Sequence, residues 1–256
     1  MAPQFKQRRD FAALEVRRQQ AGRGALSPRS WVEDSGGPQL DGAEARAASQ
    51  GTQRGEGALL ENRPLAGAKK NAARRHAWIF FQDESGFTQQ PSVRTTWAPR
   101  GQTPVLRPRG NHWTKTSVAA ARGFRWDGRQ ARLLARTKPD SYNTVSLRQF
   151  LKQLRRFVRG HSVILIWDHL PAHRSFEMKK FLLRQRDWLQ VEWLPGYAPD
   201  LNPAEGVWNN IKGREMAHLC PDQMGEATRA FRTGLQRVSH TRQLPFSFLD
   251  HAGLFF

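Results

Sequence analysis

Three acids stand in this sequence where acids are out of keeping with their neighbours. Asp83 follows a dense apolar run in "AWIFFQDESGF" (77 to 87), Asp168 closes the unbroken apolar run of "VILIWDHLPAH" (163 to 173), and Glu205 lies in "LPGYAPDLNPAEGVWNNIKG" (194 to 213). Carboxylates gathered at the edge of a core repel one another and resist desolvation, so a cluster of them implies cations. Oxygen-only donors select Mg²⁺ or Mn²⁺ over zinc. Two such ions a few ångströms apart would activate a nucleophile and stabilise the leaving oxygen of an in-line phosphoryl displacement. Each acid alone has a plainer explanation in a solvated loop. Glu205 has the best of these, because Asn202, Pro203 and an acid at the third helical position spell an N-cap, a Pro at N1 and a capping box.

The elements that would position these acids are legible from periodicity. In "AWIFFQDESGF" strand alternation puts Ile79, Phe81 and Asp83 on one face and Trp78 and Phe80 on the other. "RTTWAPRGQTPVL" (94 to 106) has strand-like ends around an Arg-Gly turn, and "TSVAAARGFRWDGRQARLLAR" (116 to 136) carries Asp127-Gly128 as a hairpin signal. Three consecutive antiparallel strands are therefore expected. Residues 143 to 160 follow as an amphipathic helix with Val145, Leu147, Phe150, Leu151, Leu154, Phe157 and Val158 on its apolar side and Gly160 as its stop. "SVILIWD" reads as a strand covered on both faces. A helix over 174 to 187, a short strand "LQVEWLP" and a helix from Pro203 complete a β-β-β-α-β-α-β-α order. In such sheets, sites form at the carboxyl ends of parallel strands, where Asp168 sits.

With 256 residues, 38% of them hydrophobic, and 9 Trp, the chain can bury one sizeable core plus an appendage. Lys and Arg number 41 against 22 acids, a net charge of +19, which favours a polyanionic partner and nucleic acid first. No apolar run approaches the roughly 20 residues that span a bilayer. The one cysteine, Cys220, excludes an internal disulfide and a Cys-based zinc cluster. The first 20 residues lack the apolar centre of a signal peptide, so a cytoplasmic, nucleoid-associated protein is expected. Residues 5 to 19 read as one short basic helix, and residues 20 to 68 as a disordered or loosely held low-complexity stretch.

The β-β-β-α-β-α order is similar to the RNase H-like fold, an α/β fold with a mixed sheet. "FQDESGF", "WAPRGQTPVL", "IWDHLPAH" and "LPGYAPDLNPAEGVWNNIKG" resemble, in this order, the blocks of DDE transposases of bacterial insertion sequences in the mariner superfamily. The resemblance runs from about residue 69 to about 240, and the 36 residues between Asp168 and Glu205 fit the spacing between the second and third acids of such enzymes.

It implies a catalytic domain over 69 to 256 behind an N-terminal segment over 1 to 68. It also implies Asp83, Asp168 and Glu205 as catalytic residues and ligands of two Mg²⁺ or Mn²⁺ ions, and DNA cleavage and strand transfer at insertion-sequence ends. The partners implied are element ends and target DNA, with a homodimer on DNA as a candidate assembly. His169 stands where the family often has Asn. His173 recurs in the family block and is a candidate contact to DNA; Trp97 and Trp208 are candidates for stacking on bases, Trp208 being better placed as core. Glu84, Asp187 and Asp200 match no catalytic position and read as solvated or turn acids. Residues 1 to 68 do not resemble the helix-turn-helix domains usual in this superfamily, so a truncated copy is expected. The alternative to an enzyme is an inactive remnant that binds DNA by charge alone.

Overall fold

Alternating and unbroken apolar runs build one sheet. The structure is a computed structural model and describes residues 12–17, 63–94, 105, 114–196 and 199–254. The strands are β1 (Ala12–Arg17), β2 (Trp78–Thr88), β3 (Lys115–Arg125), β4 (Gln130–Pro139), β5 (Val163–Trp167) and β6 (Leu189–Trp193), in the order β1-β4-β3-β2-β5-β6. β2, β3 and β4 are antiparallel neighbours, while β5 lies parallel to β2 and β6 parallel to β5. This is the RNase H-like arrangement.

The helices are α1 (Arg63–Arg75), α2 (Thr144–Val158), α3 (Pro171–Arg174), α4 (Phe176–Leu183), α5 (Pro203–Arg214), α6 (Met224–His240) and α7 (Leu244–His251). On one face of the sheet Trp78, Phe80, Leu165 and Trp167 meet Leu147, Phe150, Leu151 and Leu154 of α2 and Met178 and Phe181 of α4. On the other, Ile79, Phe81, Ile164 and Ile166 meet Leu65 and Ala68 of α1 and Leu249 of α7. Val118, Ala120 and Leu133 meet Val207, Trp208 and Ile211 of α5 and Phe231 of α6. Each large apolar side chain so buried contributes about 1.5–3 kcal/mol relative to exposure. Every residue of β5 is buried, as its continuous apolar run requires.

The hairpin forms at Asp127-Gly128, where Gly128 has φ +65° and its N–H bonds Arg125 O. Asn143 caps α2 in a reciprocal box with Ser146, and Arg159 and Gly160, both at positive φ, end it. Val145 departs from its expected apolar face. It is 60% exposed, because in the first turn it lies beyond the edge of the sheet contact.

Three expectations change. Ala12–Arg17 is a strand antiparallel to β4, not a helix; the alternation Leu14-Glu15-Val16-Arg17 suits the open edge of a sheet better than a helix. The stretch expected to be loose from 20 to 68 ends in α1, which starts at Arg63, because Leu65, Ala68 and Ala72 recur at helical spacing and are buried. Residues 20 to 62 lie outside the described residues, as do Trp97 and most of 94 to 106. Beyond the expected elements, α6 and α7 close the second face over β2, β3 and α5.

One buried group runs against the packing. Arg122 of β3 is fully buried, none of its guanidinium nitrogens has a hydrogen-bond partner among the described residues, and burial lowers its pKa to about 9. An uncompensated buried cation is destabilising, whereas an apolar side chain of similar length fills the same space without that cost. Arg122→Met is therefore expected to stabilise the fold by about 1–4 kcal/mol. Urea denaturation checks this, and a lower midpoint for the variant would refute it.

Candidate active site

The strand register places two of the three acids. Phe81 of β2 pairs with Ile166 of β5, so Asp83 and Asp168 each stand two residues past the last parallel pair; Asp168 follows the end of β5, whereas Asp83, expected after its strand, lies within β2, which runs on to Thr88 along β3. Asp83 shares the face of Ile79 and Phe81, which is covered there by α5. Asp168 lies just past the end of β5, where strand alternation no longer dictates its direction.

Glu205 enters in the first turn of α5. Asn202 is its N-cap, with the side chain accepting from Ala204 N at 3.1 Å, and Pro203 is N1. The N-cap forms but the expected capping box does not: Asn202 Oδ1 accepts from Ala204 N rather than from Glu205 N, and among the described residues the Asn202 N–H donates no bond to the Glu205 carboxylate. The carboxylate is left for other partners.

The electrostatics tie the three acids together. Burial pushes the Asp83 carboxyl up to about 8, the charge of Glu205 adds to the rise, and a hydrogen bond from Trp208 opposes it. Burial also raises Glu205, with Lys212 lowering it and Asp168 and Asp200 raising it. Asp168 is lowered: burial pushes it up, but hydrogen bonds from His173 and the Leu170 N–H, with the charges of His173 and His169, outweigh that. Asp83 is 8% exposed; its Oδ2 accepts from Trp208 Nε1 at 2.7 Å and its Oδ1 from Glu84 N at 2.9 Å. Lys212 Nζ donates to Ser85 Oγ at 2.8 Å, and burial lowers its pKa, an effect that the charges of Glu205 and Asp83 only partly offset.

His173, the candidate DNA contact, lies beside Asp168. It is fully buried, stacked on Trp167 at 3.9 Å, with Nδ1 2.6 Å from Asp168 Oδ1 and Nε2 3.2 Å from Glu84 Oε1. Both ring nitrogens are engaged inside the protein, so in this structure His173 presents no polar atom to DNA. Burial lowers its pKa, but the bonds to Asp168 and Glu84 prevail and push it up to about 9.

Among the described residues, no three His, Cys, Asp or Glu side chains are already gathered as a metal-holding group. The donors nevertheless suit a hard divalent cation. They are carboxylates, and burial raises the pKa of the most buried of them, Asp83, a penalty on its charged form that a bound cation would relieve.

Trp208, Lys212 and Glu84 were not singled out from sequence as parts of the site. Two of them carried a signal. Trp208 and Lys212 lie three and seven residues after Glu205, on the same side of one helix. Glu84 carried none, because its partner is 89 positions away.

The sequence matches, over residues 78–223, the family described as DDE superfamily endonuclease. The chain belongs to this family. Comparison with curated proteins returns no match. Among solved structures, this DDE-family chain is similar to the Mos1 transposase paired-end complex with left transposon end: 18% identity, 90% of this chain, 66% of that chain, TM-score 0.46. It is also similar to the Mos1 Strand Transfer Complex (17%, 77% and 61%, TM-score 0.46) and to the mariner Mos1 paired end complex with Mg (18%, 90% and 68%, TM-score 0.49). It thus spans about two thirds of the length of those Mos1 chains.

The shifted carboxyl of this DDE domain sets a pH dependence. Between its ordinary value of 3.8 and about 8, folded Asp83 holds a proton that the unfolded chain has lost. Stability of the metal-free protein therefore falls as pH rises through that window, by about 1.4 kcal/mol per pH unit. His173, raised from 6.5 to about 9, adds a fall of the same sign between those values. Denaturation at pH 6.5 and 8 is expected to show the lower midpoint at pH 8, and a flat or rising midpoint would contradict the shifts.

Proposed function

We propose that this chain is the catalytic domain of a mariner-like transposase that cleaves and rejoins DNA strands with Mg²⁺ or Mn²⁺. The observation that carries the reading is the placement of Asp83 and Asp168 each two residues past the last parallel pair of β2 and β5, with Glu205 of α5 near enough for its charge to act on Asp83 and for that of Asp168 to act on it. The family and the net charge of +19 support it.

Asp83, Asp168 and Glu205 would hold the cations, one or two of them. When bound, they supply a nucleophile at neutral pH and stabilisation of the departing oxygen. The chain itself does the rest. Trp208 fixes one oxygen of Asp83, Lys212 offsets the charge of Glu205, and the apolar pairing of β2 with β5 holds Asp83 and Asp168 at one height. Basic residues over the surface would attract the phosphate backbone without reading its sequence.

The test is strand cleavage of duplex DNA carrying inverted-repeat ends, random duplex and RNA–DNA hybrid, each with Mg²⁺, Mn²⁺ or EDTA. Metal-dependent cleavage of DNA is expected. Preferential cutting of the RNA strand would instead assign a ribonuclease, and binding without cleavage under every condition would assign the inactive remnant.

A further inference from the structure

Asp168 is held in place by a chain of side chains that crosses between two strands. Glu84 leaves β2 on the face opposite Asp83, its own N–H bonded to Asp83 Oδ1. Its Oε1 accepts from Gln82 Nε2 at 3.0 Å and lies 3.2 Å from His173 Nε2. On the other side of the ring, His173 Nδ1 is 2.6 Å from Asp168 Oδ1, which also accepts from Leu170 N at 3.1 Å. Stacking on Trp167 leaves the imidazole little freedom to tilt.

The result is a closed link, Asp83 to Glu84 to His173 to Asp168, between the middle of β2 and the carboxyl end of β5. Such a link is more than core packing requires. A histidine that only needed burial would be satisfied by one backbone carbonyl, and Asp168 O is available to it at 3.3 Å. Besides that carbonyl it takes up two carboxylates, those of Asp168 and Glu84. Among the described residues, Asp168 Oδ2 is the oxygen these bonds leave open.

We propose that Glu84 and His173 are positioning residues that orient the Asp168 carboxylate so that one oxygen is presented to a divalent cation. The inference rests on the metal-holding role proposed above for Asp168. Partners that orient a ligand in this way are generally worth 10–100-fold in metal affinity or activity. Neither residue needs to touch DNA or metal.

Mn²⁺ affinity by calorimetry, thermal midpoint, and kcat and KM for DNA cleavage are measured for the parent, Glu84→Ala, Glu84→Gln, His173→Gln and Asp168→Asn. Glu84→Ala is expected to weaken Mn²⁺ binding about 10–100-fold and to lower kcat with KM for DNA unchanged. Glu84→Gln, which keeps an acceptor for the imidazole, should recover part of the loss. If Glu84→Ala fails to fold, His173→Gln carries the same comparison. Parent-like Mn²⁺ affinity in folded Glu84 and His173 variants, with Asp168→Asn impaired, overturns the positioning role alone. Parent-like Mn²⁺ affinity in Asp168→Asn overturns the metal role of Asp168 and the positioning role with it.

Discussion

Asp168→Asn is expected to abolish metal-dependent cleavage, with a loss on the order of 10³-fold or more, while leaving DNA binding intact. Asn matches Asp in size and keeps an oxygen for the Leu170 N–H, so the end of β5 should hold its shape. What disappears is a charge that divalent cations require. Mn²⁺ affinity and cleavage should therefore fall together. The variant is also one unit more positive, so its grip on DNA without metal should hold or tighten slightly at fixed salt. Calorimetric Mn²⁺ titration beside a salt series of DNA binding checks both halves. An Asp168→Asn protein that binds Mn²⁺ like the parent would reduce the three acids to a structural cluster.

Trp208→Ala should cost about 3–5 kcal/mol of stability, because it opens a cavity under α5 where the indole meets Phe231 at 6.1 Å. Trp208→Phe separates the ring from its polar edge. The smaller ring still fills much of the space, but Asp83 Oδ2 loses its side-chain donor. That loss should cost about 1–3 kcal/mol when Asp83 is ionised and less when it is protonated. The Phe variant should therefore be more clearly destabilised at pH 9 than at pH 6.5, and its Mn²⁺ affinity should need a higher pH to develop, since the bond from Trp208 lowers the Asp83 pKa. Equal penalties at the two pH values would show that the indole acts by packing alone.

The sequence by itself determined strands β2 to β6, the central helices and the places of Asp168 and Glu205 on them. The run 163 to 167 has only apolar residues, alternation in 78 to 83 separates Trp78 and Phe80 from Ile79, Phe81 and Asp83, and Asn202-Pro203 marks a helix start. These are local signals, written in side-chain period and turn chemistry. They placed Asp168 at a strand end and Glu205 at a helix start before any contact was known, whereas Asp83, expected after its strand, lies within β2.

Only the tertiary structure decided what each acid touches. Glu84 was legible only as a solvated acid, yet it faces a histidine 89 residues away, because two parallel strands and a short helix bring them together. His173 turned inward for the same reason. The direction of Asp168 was open in sequence, since a residue past a strand end is no longer bound by the pleat. Residues 5 to 19 could be read as helix because an isolated segment does not reveal that a sheet edge waits for residues 12–17 at β4. Local propensity is read from neighbours in the chain, whereas hydrogen-bond partners, burial and pKa shifts come from neighbours in space.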